Sequence, residues 1–293
     1  MRGRTEPEPP RVLSSLIARG TVPPARFFAL ARLGYAACVA TPSMHALLPS
    51  VVEAGELALG FFRNVTAERK ADHTLVTAAD RAVEEFLTPR LAALAPAARI
   101  LGEEFGVTGP ADAADTLTLD PVDGTAAFVA GLPTWCITVG LVRDGVAIGG
   151  LTHLPMTAET YLACGDSAEW NGRALPRDLP PRGDGDLFIL THSEYHRGNT
   201  LRFPGKIRSL GSTAYHMALV ARGAAAAAVL GRPRLWDIAA GAALLAAIGG
   251  ELRYRSGAPV DVGALLDGQR APDHIVAAAP GMIDQILPLV QPT

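Results

Sequence analysis

Carboxylates that end an apolar strand or open a helix are held rigidly enough to surround a cation, and three segments of this 293-residue chain place acids in such positions. Gly102-Glu103-Glu104 follows the apolar pair Ile100-Leu101 directly. Asp120-Pro121-Val122-Asp123-Gly124-Thr125 sets two acids three residues apart around a proline. Trp236-Asp237 opens a run of Ala, Leu and Gly. Pro121 stiffens its turn, so that both carboxylates and the Val122 carbonyl can face one hard cation, which prefers oxygen ligands. Gly124 lets the backbone approach an anion, and the free N–H groups that begin the following helix point toward it. A phosphate held between magnesium and a helix N-terminus fits that pattern. Each segment also has a plainer reading: a solvated G-E-E loop, Asp123 capping a helix, and Asp237 as an N-cap. Their joint meaning depends on a fold that brings Asp237 to Asp120 and Asp123.

The elements that must position them follow from hydrophobic spacing. Leu47, Leu48, Val51, Val52, Ala54, Leu57, Leu59 and Phe62 recur at helical intervals, and a polar connection over 63–74 leads to a second helix marked by Ala82, Val83, Phe86, Leu87, Leu91 and Leu94. Strands are expected at 100–101, 116–119, 135–141, 146–151 and 160–164, with turns at Arg143-Asp144-Gly145 and Asn171-Gly172, which makes a mostly antiparallel meander. The Pro- and Gly-rich segment 173–186 is the best internal boundary. Beyond it β and α alternate: strands at 187–190 and 207–210, a helix over 213–222, a strand or buried run at 225–230, a helix over 238–248, a strand at 275–278 and a closing helix near 281–290.

Composition narrows the partners. With 26 Lys+Arg against 29 Asp+Glu the chain lacks the basic excess of a nucleic-acid or anionic-membrane surface. Lys70 and Lys206 are the only lysines, and the Arg- and Ala-rich usage resembles genomic base composition more than a chosen surface. Cys38, Cys136 and Cys164 show no C-x-x-C spacing, so neither a disulfide framework nor a zinc site is indicated, and a reducing cytoplasm fits. The apolar stretches fall well short of the roughly 20 residues of a membrane span. Residues 1–43 are studded with Arg and make a poor secretory signal; they read as a dispensable extension, with Met44 as an alternative start, ahead of one domain over 44–293 with halves of about 44–180 and 181–293.

Taken in order, these segments resemble the inositol monophosphatase family of lithium-sensitive, magnesium-dependent phosphatases. Leu75-Val76-Thr77-Ala78-Ala79-Asp80, with Glu84 after it, is similar to that family's L-V-T-x-x-D entry, Gly102-Glu103-Glu104 to its G-E-E, and Asp120–Thr125 to its D-P-x-D-G-T. Gly131-Leu132-Pro133, Asn171-Gly172, Gly211-Ser212-Thr213-Ala214 and the W-D-x-A-A-G run from Trp236 to Gly241 extend the likeness to most of the chain after Met44. The resemblance implies a layered αβαβα sandwich of mixed α/β type and hydrolysis of a small-molecule phosphate monoester with two or three Mg²⁺ ions. By position, Glu103, Asp120, Asp123, Asp237 and the Val122 carbonyl are the implied metal ligands. Asp80 would complete the site and bond Thr125; Glu103 and Thr125 would orient and deprotonate water; Gly124 and Thr125 N–H groups would hold the phosphate. A homodimer and lithium inhibition are implied likewise.

Departures cluster where substrate would sit. Ala127 and Ala130 replace polar or aromatic residues common in the family, and Leu230 stands where inositol-cleaving members carry a Glu that binds hydroxyls. A Leu accepts no hydrogen bond, so a substrate with an apolar or flat face, such as a nucleotide or modified sugar phosphate, fits at least as well as inositol phosphate. Ser212, Thr213, His192 and Ser193 are further candidate substrate contacts. A 3'(2'),5'-bisphosphate nucleotidase or sugar bisphosphatase of the same superfamily is the enzyme alternative. A catalytically silent phosphometabolite-binding protein is the alternative of another class.

Overall fold

The helical stripe after Met44 forms α1 (Met44–Phe61), which buries Met44, Leu47, Val51, Ala54 and Ala58. The structure, a computed structural model, describes residues 44–178, 187–197 and 199–292, so the extension over 1–43 and most of the expected 173–186 boundary lie outside the described residues. The polar connection after α1 is more ordered than its composition suggests. It holds the antiparallel pair β1 (Glu68–Arg69) and β2 (Leu75–Val76), whose exposed first strand carries no hydrophobic signal. Helix α2 (Ala78–Leu94) follows and packs on α1.

The meander is an eight-stranded sheet. Its strands are β3 (Arg99–Gly102), β4 (Gly106–Thr108), β5 (Asp115–Asp123), β6 (Cys136–Arg143), β7 (Val146–Leu154), β8 (Glu159–Cys164), β9 (Ser167–Trp170) and β10 (Arg173–Ala174), in the order β10-β9-β8-β7-β6-β5-β3-β4. Only β3–β5 is parallel. The one-turn-and-a-half helix α3 (Thr125–Val129) leaves the end of β5.

The second half builds a five-stranded sheet and its helices: β11 (Phe188–Thr191), β12 (Asn199–Leu201), β13 (Lys206–Arg208), α4 (Thr213–Ala221), β14 (Ala227–Leu230), α5 (Leu235–Ile248), β15 (Glu251–Tyr254), β16 (Ile275–Ala278), α6 (Ile283–Ile286) and β17 (Val290–Pro292). The sheet order is β13-β11-β14-β16-β15, with β12 and β17 pairing separately. The run at 225–230 is thus a central strand. The closing helix is a single turn followed by a 3-10 turn at Leu287–Leu289, where Pro288 cannot supply the next N–H.

Five layers result. Helices α1 and α2 cover one face of the large sheet, α4 and α5 lie between the two sheets, and α6 covers the outer face of the small one. Among the described residues no helix is long and apolar enough to cross a membrane. Cys136 is buried and free, whereas Cys164 is disulfide-bonded, a pairing that an odd cysteine count without repeated spacing does not announce.

Sandwiching explains the small-residue run. Twelve of the fourteen residues of α5 are buried, so it is apolar all round, as a helix between two sheets must be. Its alanines serve close approach: a Cβ on Gly140 would come 2.5 Å from Ala239 Cβ, and one on Gly150 would come within 2.4 Å of the Ala240 carbonyl oxygen. The backbone there cannot give way without moving α5 and the acid at its start. Gly150→Ala is therefore expected to cost about 1–3 kcal/mol, or roughly 2–4 °C of Tm per kcal/mol for a chain of this size. A thermal melt checks it, and an unchanged Tm would contradict the contact.

Candidate active site

Acids three apart on a regular strand point to opposite faces. Here β5 is irregular between Asp120 and Asp123: Asp120 pairs with Thr138 and Asp123 with Cys136, so three steps on β5 match two on β6. That bulge at Pro121 turns both carboxylates the same way. Asp120 Oδ1 accepts from Val122 N at 3.0 Å. Asp123 is gripped by the start of α4: Oδ2 accepts from Ser212 Oγ at 2.5 Å and Ala214 N at 2.6 Å, and Oδ1 accepts from Thr213 N at 3.2 Å.

Asp237 is not the N-cap of α5. The helix begins at Leu235, three residues earlier than the apolar pattern suggests, and Asp237 sits in its first turn with Oδ2 accepting from Arg234 N at 2.7 Å. Asp80 is held by the same device: its Oδ2 accepts from Thr77 N and Oγ1, the N-cap of α2, at 2.8 and 2.6 Å. In a first-turn acid one oxygen satisfies the cap and the other is spare for chemistry. For Asp80 that second oxygen accepts from the Thr125 hydroxyl at 3.0 Å.

One carboxylate oxygen from each of Asp120, Asp123 and Asp237 lies within 4.8 Å of the others. Glu103, Val122, Gly124, Thr125 and Thr213 line the same cavity of about 440 Å³. The Glu103 loop rests on Glu84, a buried acid whose oxygens accept from Glu104 N and Phe105 N, both at 2.9 Å. A Cβ on Gly102 would strike Glu84, so that glycine is required for the close approach. Gly124 has φ 97° and hugs Ser212, Gly211 and Thr134, a conformation and a space that only glycine fits.

Other expected contacts distribute differently. Ser212 is fully buried and holds Asp123, while Thr213 faces the cavity. Leu230 is 1% exposed in the core of the small sheet, so the side chain at this position packs inward and the arrangement supports no direct substrate contact. Ser193 is exposed, 3.2 Å from Ser209, whereas His192 lines a neighbouring cavity. Sequence reasoning left Lys70 and Glu84 without roles. Lys70 Nζ donates to Glu103 at 2.8 Å and Glu104 at 2.5 Å; its being one of two lysines was the available signal.

Burial and mutual repulsion dominate the electrostatics. Burial, then Glu103 and the other acids, pushes Asp120 well above the ordinary carboxylate range. Burial pushes Asp123 up to about 6, against the donors at α4, and burial with the Asp123 charge takes Asp237 to about 8. Asp80 is raised by burial, and Glu104 reaches about 7 from burial despite Lys70. Burial works against the Lys70 ammonium, but Glu103 and Glu104 outweigh it and raise its pKa.

A pH dependence follows with a definite sign. A carboxyl whose folded pKa is raised binds more protons folded than unfolded, so metal-free stability falls as pH rises through the folded value. Half-buried His192 and buried His216, each lowered to about 4 chiefly by burial, act oppositely only below their unfolded pKa of about 6.5. The diagnostic window is therefore about pH 6.5 to 8, set by Asp237 near 8 and Glu104 near 7. In EDTA, Tm should fall across that window, and saturating Mg²⁺ should flatten the fall. A rising Tm in EDTA would contradict the clustering of charge.

Comparison with known proteins decides the family. The sequence model of the inositol monophosphatase family matches residues 44–279. The chain belongs to the inositol monophosphatase family. Inositol-1-monophosphatase ImpA of Mycolicibacterium smegmatis is 34% identical over 245 residues, covering 78% of this chain and 84% of that protein. The 3'(2'),5'-bisphosphate nucleotidase CysQ of Aggregatibacter actinomycetemcomitans is 32% identical over 240 residues, covering 71% and 86%. Among solved structures, an IMPase of Thermotoga maritima superposes with a TM-score of 0.69 at 25% identity, covering 82% of this chain and 93% of that one. The layered sandwich is thus the inositol monophosphatase fold.

Proposed function

We propose that this chain is a metal-dependent phosphatase that hydrolyses a small phosphate monoester by direct attack of water. The carrying observation is the meeting of Asp120, Asp123 and Asp237 oxygens within 4.8 Å, from three separate stretches of sequence. The donor set is oxygen only, as a hard divalent cation prefers. The acids are buried or half-buried, and their nearest ammonium, Lys70, is engaged by Glu103 and Glu104. Residues of this kind fit Mg²⁺, with Asp120, Asp123, Asp237, Glu103 and the Val122 carbonyl as ligands for two or three ions.

When bound, Mg²⁺ supplies charge stabilisation for the phosphoryl oxygens and a lower pKa for water. The chain supplies the rest. Thr125 Oγ1, tied to Asp80 at 3.0 Å, orients the attacking water, and Glu103 receives its proton. The Gly124 and Thr125 N–H groups donate to the phosphate, which Gly124 allows to approach. No side chain needs to become esterified. The same reading extends to lithium inhibition, a homodimer and a cytoplasmic setting, all carried by family membership.

The test is phosphate release from inositol, sugar and nucleoside monophosphates with Mg²⁺ and with EDTA. Release that needs Mg²⁺ supports the reading. If the esters bind but none turns over, the silent-binder alternative replaces it.

A further inference from the structure

Asp237 and Thr213 also border a second cavity, of about 430 Å³, whose chemistry is opposite to that of the carboxylate cluster. Arg197, Arg232 and Arg270 line it, and Arg234 stands next to it in the adjoining cleft that shares Arg270. Among the described residues, only two carboxylates outside the proposed metal site pair with these four guanidiniums. Asp72 Oδ2 is shared by Arg234 and Arg270, each at 3.2 Å, and Glu194 pairs with Arg197 on the exposed rim. Arg232 makes no ion pair among the described residues; its Nε donates to the Ala271 carbonyl at 2.8 Å. The cluster therefore carries an excess of about two positive charges beside a catalytic centre whose own acids are reserved for metal.

These guanidiniums are also oriented. Arg234 Nη1 donates to Gly268 O and Arg270 Nη1 to Arg232 O, so backbone carbonyls hold the planar groups in place and their remaining donors are arranged in advance. Donors predominate in the cavity, and its single acid outside the metal site, Glu194, is engaged by Arg197. A neutral polyol leaving group, which needs acceptors for its hydroxyls, would find few here. An acceptor-rich anion matches guanidinium forks directly.

We infer that the substrate carries a second anionic group, a phosphate or a carboxylate, on its leaving-group side, seated by Arg232 and Arg270 while the scissile phosphate occupies the carboxylate cavity. This rests on the phosphatase reading and narrows its substrate class.

Matched pairs test it with Mg²⁺ present: adenosine 3'-phosphate against adenosine 3',5'-bisphosphate, and glycerol 3-phosphate against 3-phosphoglycerate. The first pair scores a second phosphate, the second a carboxylate. The expected result is a kcat/KM higher by about tenfold or more for the doubly anionic member of at least one pair, as charge-assisted contacts warrant. Arg232→Ala should bring that ratio toward one through KM, raised salt should erode it, and Arg232→Lys should restore part of it. Turnover with no preference, or a preference that Arg232→Ala leaves intact, overturns the inference while the phosphatase reading stands. If nothing turns over, the phosphatase reading fails, and calorimetric binding of the same pairs to wild type and Arg232→Ala still decides whether the second anion is recognised.

Discussion

Asp120→Asn should abolish most activity while making the metal-free protein more stable. The side chain is 2% exposed and faces Glu103, Asp123 and Asp237, so its charge is costly without a cation. Asparagine keeps the oxygen that accepts from Val122 N, so the bulge at Pro121 loses no hydrogen bond. It removes the charge that a hard cation needs and replaces an acceptor oxygen with an NH₂ donor. Loss of one preorganised electrostatic group of this kind lowers kcat/KM by ~10²–10³-fold. The same change relieves repulsion among the remaining acids, so Tm in EDTA should rise and the stabilisation conferred by Mg²⁺ should shrink. Phosphate release and thermal melts with and without Mg²⁺ read both effects. Full activity in the variant would remove Asp120 from the metal site, and a lower Tm in EDTA would show that its charge is not the burden described.

Thr125→Ala is expected to have an effect of similar size on kcat alone. The hydroxyl lies 3.0 Å from Asp80 Oδ1 and 3.0 Å from the Val122 carbonyl, so its one proton is directed away from the cavity and its lone pairs are left for water. Positioned acid–base and water-orienting groups contribute about 10²–10⁴-fold. Alanine removes that oxygen and leaves Asp80 Oδ1 without its partner, though Thr77 still holds the other oxygen through two bonds. Since Thr125 is proposed to act on water rather than to anchor the leaving group, kcat should fall with KM little changed, and Thr125→Ser should retain most of the rate. A rise in KM alone, or failure of serine to rescue, would reassign Thr125 to binding or to packing of its methyl group.

Much of the fold was legible in the residues. The stripe from Leu47 to Phe62 and the one from Ala82 to Leu94 state helices through their spacing, and the antiparallel meander is written in alternation and in turns at Asp144-Gly145 and Asn171-Gly172. β1 was missed because both its residues are exposed and polar, so pairing left no hydrophobic trace. The start of α5 was misplaced because a helix buried on every side has no polar face to mark its phase.

The sequence by itself determined the acids, the glycines beside them and the order in which they occur, because local chemistry demands those residue types: a proline between two aspartates, a glycine at φ 97° and a first-turn acid behind each helix cap. It also disclosed the family through the joint pattern of those segments. Only the tertiary structure decided what meets what. The bulge on β5, the grip of α4 on Asp123 and the seating of α5 against Gly140 and Gly150 bring Asp237 to Asp120 across more than a hundred residues. Packing turned Leu230 into the core and Ser212 onto a carboxylate, and it gathered Arg234 and Arg270 on Asp72. Such pairings link residues far apart in the chain, and burial of apolar surface, which is non-directional and leaves no local motif, is what selects them.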